Sequence, residues 1–284
     1  MGYDRLFMRL GILVFLFSAS AFAAAEPASI DQAFQDLYNF RFPASHEVLN
    51  RYIARHPNEP LPYAVSAAAY LFFELDRLGI LESEFLIDDK RISHKDKPLQ
   101  PDPAVRAAFM KALDETQSHA NSALAANPND KDALLALCID QGVTMDYMAF
   151  IEKHQFRSLT PAERSNSYAQ RLLRLDPHFY DAYLTAGLSE YLVGSLPFFV
   201  RWFVHFDNVS GSKEKGVESL ERVASQGHYL RPFAKILLGI IDLREMKYWE
   251  AKKLIAELSQ AYPENPLFRK EQAKLNARMA GGSN

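Results

Sequence analysis

The chain has 284 residues, of which 48% are hydrophobic, 24% charged and 12% aromatic, with 12 Gly and 15 Pro; this excludes a collagen-like, low-complexity or wholly disordered protein. Its 32 basic and 35 acidic side chains leave a net charge of −3, which offers no strongly basic field for nucleic acid. The single cysteine, Cys138, excludes an intramolecular disulfide and a Cys-based zinc or iron–sulfur site. Length allows one elongated domain or two compact ones.

Residues 1–25 read as a secretory signal peptide. Arg5 and Arg9 precede an uncharged run from Leu10 to Ala25 that closes in small residues. Ala21-Phe22-Ala23 would be cut after Ala23, and Ala23-Ala24-Ala25 after Ala25. The alternative is an uncleaved signal anchor, but the run is shorter than the ~20 residues a spanning helix wants. No later run reaches that length without charge. The mature chain, 26–284, is expected to be soluble, periplasmic or secreted, with no integral membrane span. A lone cysteine in an exported chain fits a bacterial periplasm better than a disulfide-stapled secreted domain.

From residue 30 onward the pattern is helical, with no sustained period-2 alternation to mark strands. Pro43–His56 ends one helix, and Tyr63–Leu78 forms another. Residues 78–101, with the mixed charges of Asp88–Lys97 and then Pro98 and Pro101, break the pattern as a long loop, placed to cover one end of a groove. A long helix follows from about Asp102 to Asn127. Four stretches of like character each separate two amphipathic runs: His56-Pro57-Asn58-Glu59-Pro60, Asn127-Pro128-Asn129-Asp130, Asp176-Pro177-His178 and Tyr262-Pro263-Glu264-Asn265-Pro266. Pro ends one helix and pre-forms the next, while Asn and Asp cap it. Their spacing fits one or two helix–turn–helix repeats of ~34 residues, with insertions.

The last repeat is the clearest. Leu238-Gly239 sits in a first helix, Tyr248 opens the second, and Ala251 and Pro263 follow at regular intervals. Small residues at Gly239 and Ala251 are expected where two helices cross closely. A second copy has Tyr183 four residues before Gly187, with Gly216 as the matching small residue. A third pairs Leu137-Cys138 with Ser165. These two copies carry roughly fifteen extra residues each, as two inserted segments, relative to the regular repeat. By these positions the chain resembles the tetratricopeptide-repeat superfamily over most of residues 30–280, most specifically over 231–265. Gly187…Gly194-Ser195-Leu196-Pro197 followed by Gly216-Val217-Glu218-Ser219-Leu220 is also similar to a eukaryotic tetratricopeptide-like family linked to lipid-droplet and inclusion-body clearance. The resemblance implies an all-α solenoid of about four to five helix pairs, a right-handed superhelix with a concave groove for proteins or peptides.

No zinc-binding H-E-x-x-H pair, nucleophile elbow, phosphate loop or dinucleotide fingerprint is present. Gly211-Ser212-Lys213 reads as a loop capping the next helix. Cys138 reads as a small packing residue. A nucleophilic role would need His154 nearby. No catalytic residue, metal or cofactor is expected. The most distinctive stretch is Leu196–Phe206, with five aromatics and His205. It is either an exposed patch or an inserted helix buried all round. Tyr147, Met148, Phe150, Ile151 and Phe156 form a second aromatic segment that would pack against it.

Two functions compete on these residues. The first is a non-enzymatic scaffold that binds a protein or peptide in its groove, with Tyr183, Glu190, Tyr191, Lys235 and Asp242 as candidate groove residues from the first helices. Lys235 and Asp242 stand where large aromatics are usual, which suggests a polar groove. The alternative is a carrier or membrane-peripheral protein that takes an apolar ligand or lipid on the aromatic insertion, through Phe199, Trp202 and Phe203.

Overall fold

A computed structural model describes residues 28–82, 99–154, 157–196 and 209–281. The expected signal peptide, residues 83–98 of the long loop, Phe156 and the aromatic residues Phe199, Trp202 and Phe203 lie outside the described residues. Those described fold as all-α, with eleven α-helices and no strand.

The helices are α1 (Ile30–Tyr38), α2 (Phe42–Ile53), α3 (Leu61–Arg77), α4 (Pro103–Ala126), α5 (Lys131–Asp146), α6 (Leu159–Leu175), α7 (Tyr183–Ser195), α8 (Lys213–Gln226), α9 (Arg231–Arg244), α10 (Tyr248–Ala261) and α11 (Pro266–Gly281). A π-helical turn, Tyr147–Ile151, continues α5, and a 3-10 turn, Tyr180–Ala182, precedes α7. Every helix packs on its successor, and α3 packs on α5 as well. Neighbouring helix pairs therefore stack in chain order.

All four Pro-containing stretches fall between helices; polar side chains hold backbone N–H groups in three of them, while α3 after His56–Pro60 starts on Pro60 with no side-chain cap. Asp130 accepts from the Ala133 N–H at 2.9 Å, Asp176 from the His178 N–H at 2.9 Å and Asn265 from the Leu267 N–H at 2.9 Å. Two turns share a further tie. The Tyr63 hydroxyl donates to the Pro57 carbonyl at 3.0 Å, and the Tyr183 hydroxyl to the Pro177 carbonyl at 3.2 Å. In each, the phenol of the incoming helix satisfies a turn carbonyl that has no intrahelical partner.

The small residues lie where helices meet. Cys138 of α5 is buried, with its Sγ 3.1 Å from Thr185 Oγ1 and 3.6 Å from Ser165 Oγ. Ser165 of α6 donates to the Cys138 carbonyl at 2.8 Å. His154 instead pairs with Glu152. At the crossing of α7 and α8, a Cβ on Gly187 would stand 2.8 Å from the Gly216 carbonyl oxygen, and one on Gly216 would stand 2.7 Å from the Tyr191 nitrogen. Backbone meets backbone here, so neither position tolerates a side chain.

Gly239 corrects the expectation. A Cβ there meets nothing within 4 Å, so α9 and α10 do not make their close approach at that residue. Leu243, Ala251 and Ile255 join them instead, in a small core shared with Leu275 and separate from the main one. The repeat most regular in sequence is thus not the most tightly crossed.

The main core is continuous from Ala28 to Ile241. Its central helix is α5, where Leu134, Leu135 and Ala136 have no exposed surface. The run Lys131–Ile151 is long and apolar enough by composition to cross a membrane, but 56% of its most apolar window is buried inside the protein. Helices on several sides of α5 explain its near-uniform apolarity. In the π-turn, Tyr147 and Ile151 are buried and Tyr147 stacks on Phe109 of α4 at 4.9 Å.

Gly187→Ala or Gly216→Ala is expected to destabilise by about 2 kcal/mol or more, through forced separation of α7 and α8. Gly239→Ala is expected to be neutral or to stabilise by up to ~1 kcal/mol, because its site is open and Ala favours helix. Thermal melts of the three variants test this contrast.

Candidate functional site

Helix α1 packs not only on α2 but against the turns that open α9 and α11, far along the chain. Ser29 caps α1, accepting from the Gln32 N–H at 3.1 Å. Ile30, Ala33, Phe34, Leu37 and Tyr38, at helical spacing, are all buried. Phe34 stacks on Tyr229 at 4.9 Å. The Tyr38 hydroxyl donates to the Tyr229 carbonyl at 2.9 Å, and its ring lies 5.3 Å from that of Tyr262. The Asn265 amide donates to the Tyr38 carbonyl at 2.8 Å. Phe72 of α3 meets Phe233 of α9 edge-on at 5.6 Å. The first helices thus close onto the turns that open α9 and α11.

One carboxylate organises the turn that α1 meets. Asp181, 4% exposed, accepts from the backbone N–H groups of His228 at 2.9 Å, Tyr229 at 3.1 Å and Leu230 at 3.1 Å. These donors lead into the N-terminus of α9, where a negative charge is favoured. A Cβ on Gly227 would lie 2.9 Å from Asp181 Oδ1 and 2.7 Å from the Val223 carbonyl, so the clamp fits only glycine there. Around this seam, burial pushes the Tyr38 phenol well above its ordinary value. Burial and then the neighbouring carboxylates, Asp31 first, raise Tyr229 to about 12. Both remain neutral phenols at physiological pH.

The candidate groove residues are spread across different neighbours. Tyr183 holds the Pro177 carbonyl, with the Arg222 guanidinium 5.1 Å from its ring centre. Glu190 accepts from the Ser210 N–H at 2.8 Å and the Ser212 N–H at 2.9 Å. Burial opposes its ionisation, but these hydrogen bonds prevail and its carboxyl sits below the usual range. Tyr191 is buried against α8, with Lys213 5.7 Å from its ring centre. Lys235 reaches across to Glu257 of α10 at 2.8 Å. Asp242 is half-buried, which raises its carboxyl to about 6. Phe199, Trp202 and Phe203 lie outside the described residues.

Two exposed side chains escaped the sequence reading. Met246, in the turn between α9 and α10, and Trp249, in the first turn of α10, are each 71% exposed. Met246 holds a left-handed backbone, φ 60°. Lys252 lies 5.4 Å from the centre of the Trp249 ring, and Arg278 lies 4.9 Å from that of Tyr248. Leu192, beside Tyr191 on α7, is 46% exposed. The available signal was a Met in a short inter-helix connection and a Trp at the second position of the helix that follows it.

Comparison with protein-family models, curated proteins and solved structures found no match.

Two predictions follow from the charges. Asp181→Ala strands three N–H groups and is expected to cost about 2–4 kcal/mol; Asp181→Asn, which keeps one acceptor oxygen, should cost less. Chemical denaturation compares them. Burial raises Asp140 to about 6, Asp146 to about 7 and Asp242 to about 6. The folded chain therefore holds protons there that the unfolded chain releases near pH 4, so these groups make stability fall as pH rises from about 4 to 7. Glu74, lowered chiefly by Arg77, and Glu82, lowered chiefly by Lys270, act oppositely, and their stabilisation is lost below about pH 4. Stability is expected to peak near pH 5, and Asp140→Asn to flatten the decline above it by roughly 1–3 kcal/mol. Melting temperature against pH is the readout.

Proposed function

We propose that the protein is an exported, non-enzymatic helical-repeat scaffold of the tetratricopeptide type, which binds a protein or peptide partner in the periplasm or outside the cell. Repeat character is supported by the recurrent turn: a proline carbonyl held by the tyrosine six residues on, and a small buried residue ten residues on, at Ala67 and Gly187. A right-handed superhelix is the arrangement that such repeats adopt. With α1 docked on the turns that open α9 and α11, the partner surface is better placed at the exposed turn after α9 than in a concave groove.

The observation that carries the reading is the exposed pair Met246 and Trp249. Trp is the residue type most enriched at the energetic centre of protein interfaces, and here it packs into no core. Tyr191 lies within electrostatic reach of Arg244, Glu245 and Lys247, which sets this turn beside the end of α7. The aromatic residues Phe199, Trp202 and Phe203 continue from that end in the chain. A second reading, a foot on a lipid surface, is favoured by the cations over Trp249 and Tyr248, since aromatic rings and basic groups share membrane interfaces.

A photo-crosslinker at position 249 in the producing cell is expected to trap a discrete protein adduct that the exposed position of Ser122 does not. Identical adducts at both positions overturn the reading. Trp249→Ala is expected to change stability by under ~0.5 kcal/mol and to weaken partner affinity tenfold or more. Flotation with liposomes that is lost on Trp249→Ala supports the lipid foot instead.

A further inference from the structure

Away from both the seam and the exposed turn, helices α4, α5 and α6 border a half-open cavity of about 320 Å³. Its polar lining comes from Gln117 and Asn121 of α4, Gln141 of α5, and Arg164, Ser167 and Tyr168 of α6. Its size falls at the lower end of the range for small-molecule sites, about 300–1,000 Å³.

Beneath this lining lies a buried carboxylate. Asp140 is fully buried. Its Oδ2 accepts from the Gln117 amide at 3.0 Å and from the Gln141 amide at 2.7 Å. Its Oδ1 is buried without a hydrogen-bond partner. No Lys or Arg pairs with it among the described residues, and the one charge acting on it, Asp114, has the same sign. A buried carboxylate without a counter-charge is costly.

The carboxylate fixes how the amides face. Both glutamines turn N–H groups inward to Asp140, which leaves their carbonyl oxygens as acceptors. Gln141 is only 7% exposed, and its carbonyl oxygen has no hydrogen-bond partner among the described residues while the side chain lines the cavity. The amide dipoles carry the negative field of Asp140 outward. From α6, Arg164 joins the same lining and makes no ion pair or hydrogen bond among the described residues. A guanidinium fork of this kind takes a carboxylate in two parallel hydrogen bonds. The cavity therefore presents an electronegative, acceptor-lined floor and a cationic rim, with Leu137 and the Tyr168 ring as apolar wall.

We propose that this cavity binds a free α-amino acid, its ammonium on the Gln117 and Gln141 carbonyl oxygens above Asp140 and its carboxylate on Arg164. The ligand cation supplies the counter-charge that Asp140 lacks, and the pairing of one ammonium site with one carboxylate site fits the two charges of a single amino acid. The site is independent of the partner surface at Trp249, so either can fail alone.

The test is titration calorimetry and thermal melting of the purified chain with each of the twenty L-amino acids, and with ethylamine and acetate as half-ligands. At least one amino acid is expected to raise the melting temperature by about 5 °C at a hundredfold excess over its dissociation constant, with neither half-ligand doing so. Arg164→Gln, at an exposed position, is expected to melt like the parent without ligand and to bind at least tenfold more weakly. If no amino acid binds, or if Arg164→Gln binds as tightly as the parent, the proposal is overturned.

Discussion

The arrangement of this protein turns on three hydrogen bonds to one buried carboxylate. Asp181, on the 3-10 turn before α7, holds the successive N–H groups of His228, Tyr229 and Leu230. Without a fixed acceptor, those donors would be a helix N-terminus with unsatisfied groups in a poorly hydrated place. With it, the start of α9 is bound to the start of α7, two elements far apart in sequence. The same turn then offers the Tyr229 ring to Phe34 and its carbonyl to Tyr38. The route from one carboxylate to the docking of α1 is therefore short and entirely physical.

Docking α1 has a consequence for binding. Helix pairs stacked in a row bury one another's faces and leave an inner surface available to a ligand. Here the rings of Tyr229, Tyr262 and Phe233 are already met by Phe34 and Tyr38 of α1 and Phe72 of α3. A partner helix would have to displace a segment whose apolar side chains are already almost fully buried. Surfaces outside the seam face no such competition, which is why exposed Trp249 outweighs the residues first suggested by repeat position.

Sequence made some of this architecture legible and concealed the rest. The four turns were readable because Pro, Asn and Asp act locally: Asp130 and Asn265 cap helices within two or three residues of themselves. The crossings at Cys138–Ser165 and Gly187–Gly216 were readable because only small residues permit such approach. Gly239 misled for the same reason read backwards: a small residue permits a close approach without requiring one. The seam was hidden because its bonds join residues distant in the chain, such as Tyr38 and Tyr229, and no periodicity encodes them. Lys235 and Asp242 read as groove-facing from their repeat positions, and the ion pair of Lys235 with Glu257 of the next helix is likewise a contact that no periodicity encodes.

The amide-lined cavity was invisible in sequence for a related reason. Gln117, Gln141 and Arg164 are ordinary surface-type residues on three helices, and none belongs to a motif. What sets them apart is Asp140, the residue beside Gln141 on the most buried helix of the chain. A carboxylate at that place has no packing role that Ala or Leu would not fill better. It would be removed at little structural cost if the two glutamines served only to satisfy it, since all three could be replaced by apolar side chains together. A buried charge that holds the N–H groups of two cavity-lining amides, beside an arginine with no partner among the described residues, is better explained by a ligand that needs that polarity than by stability.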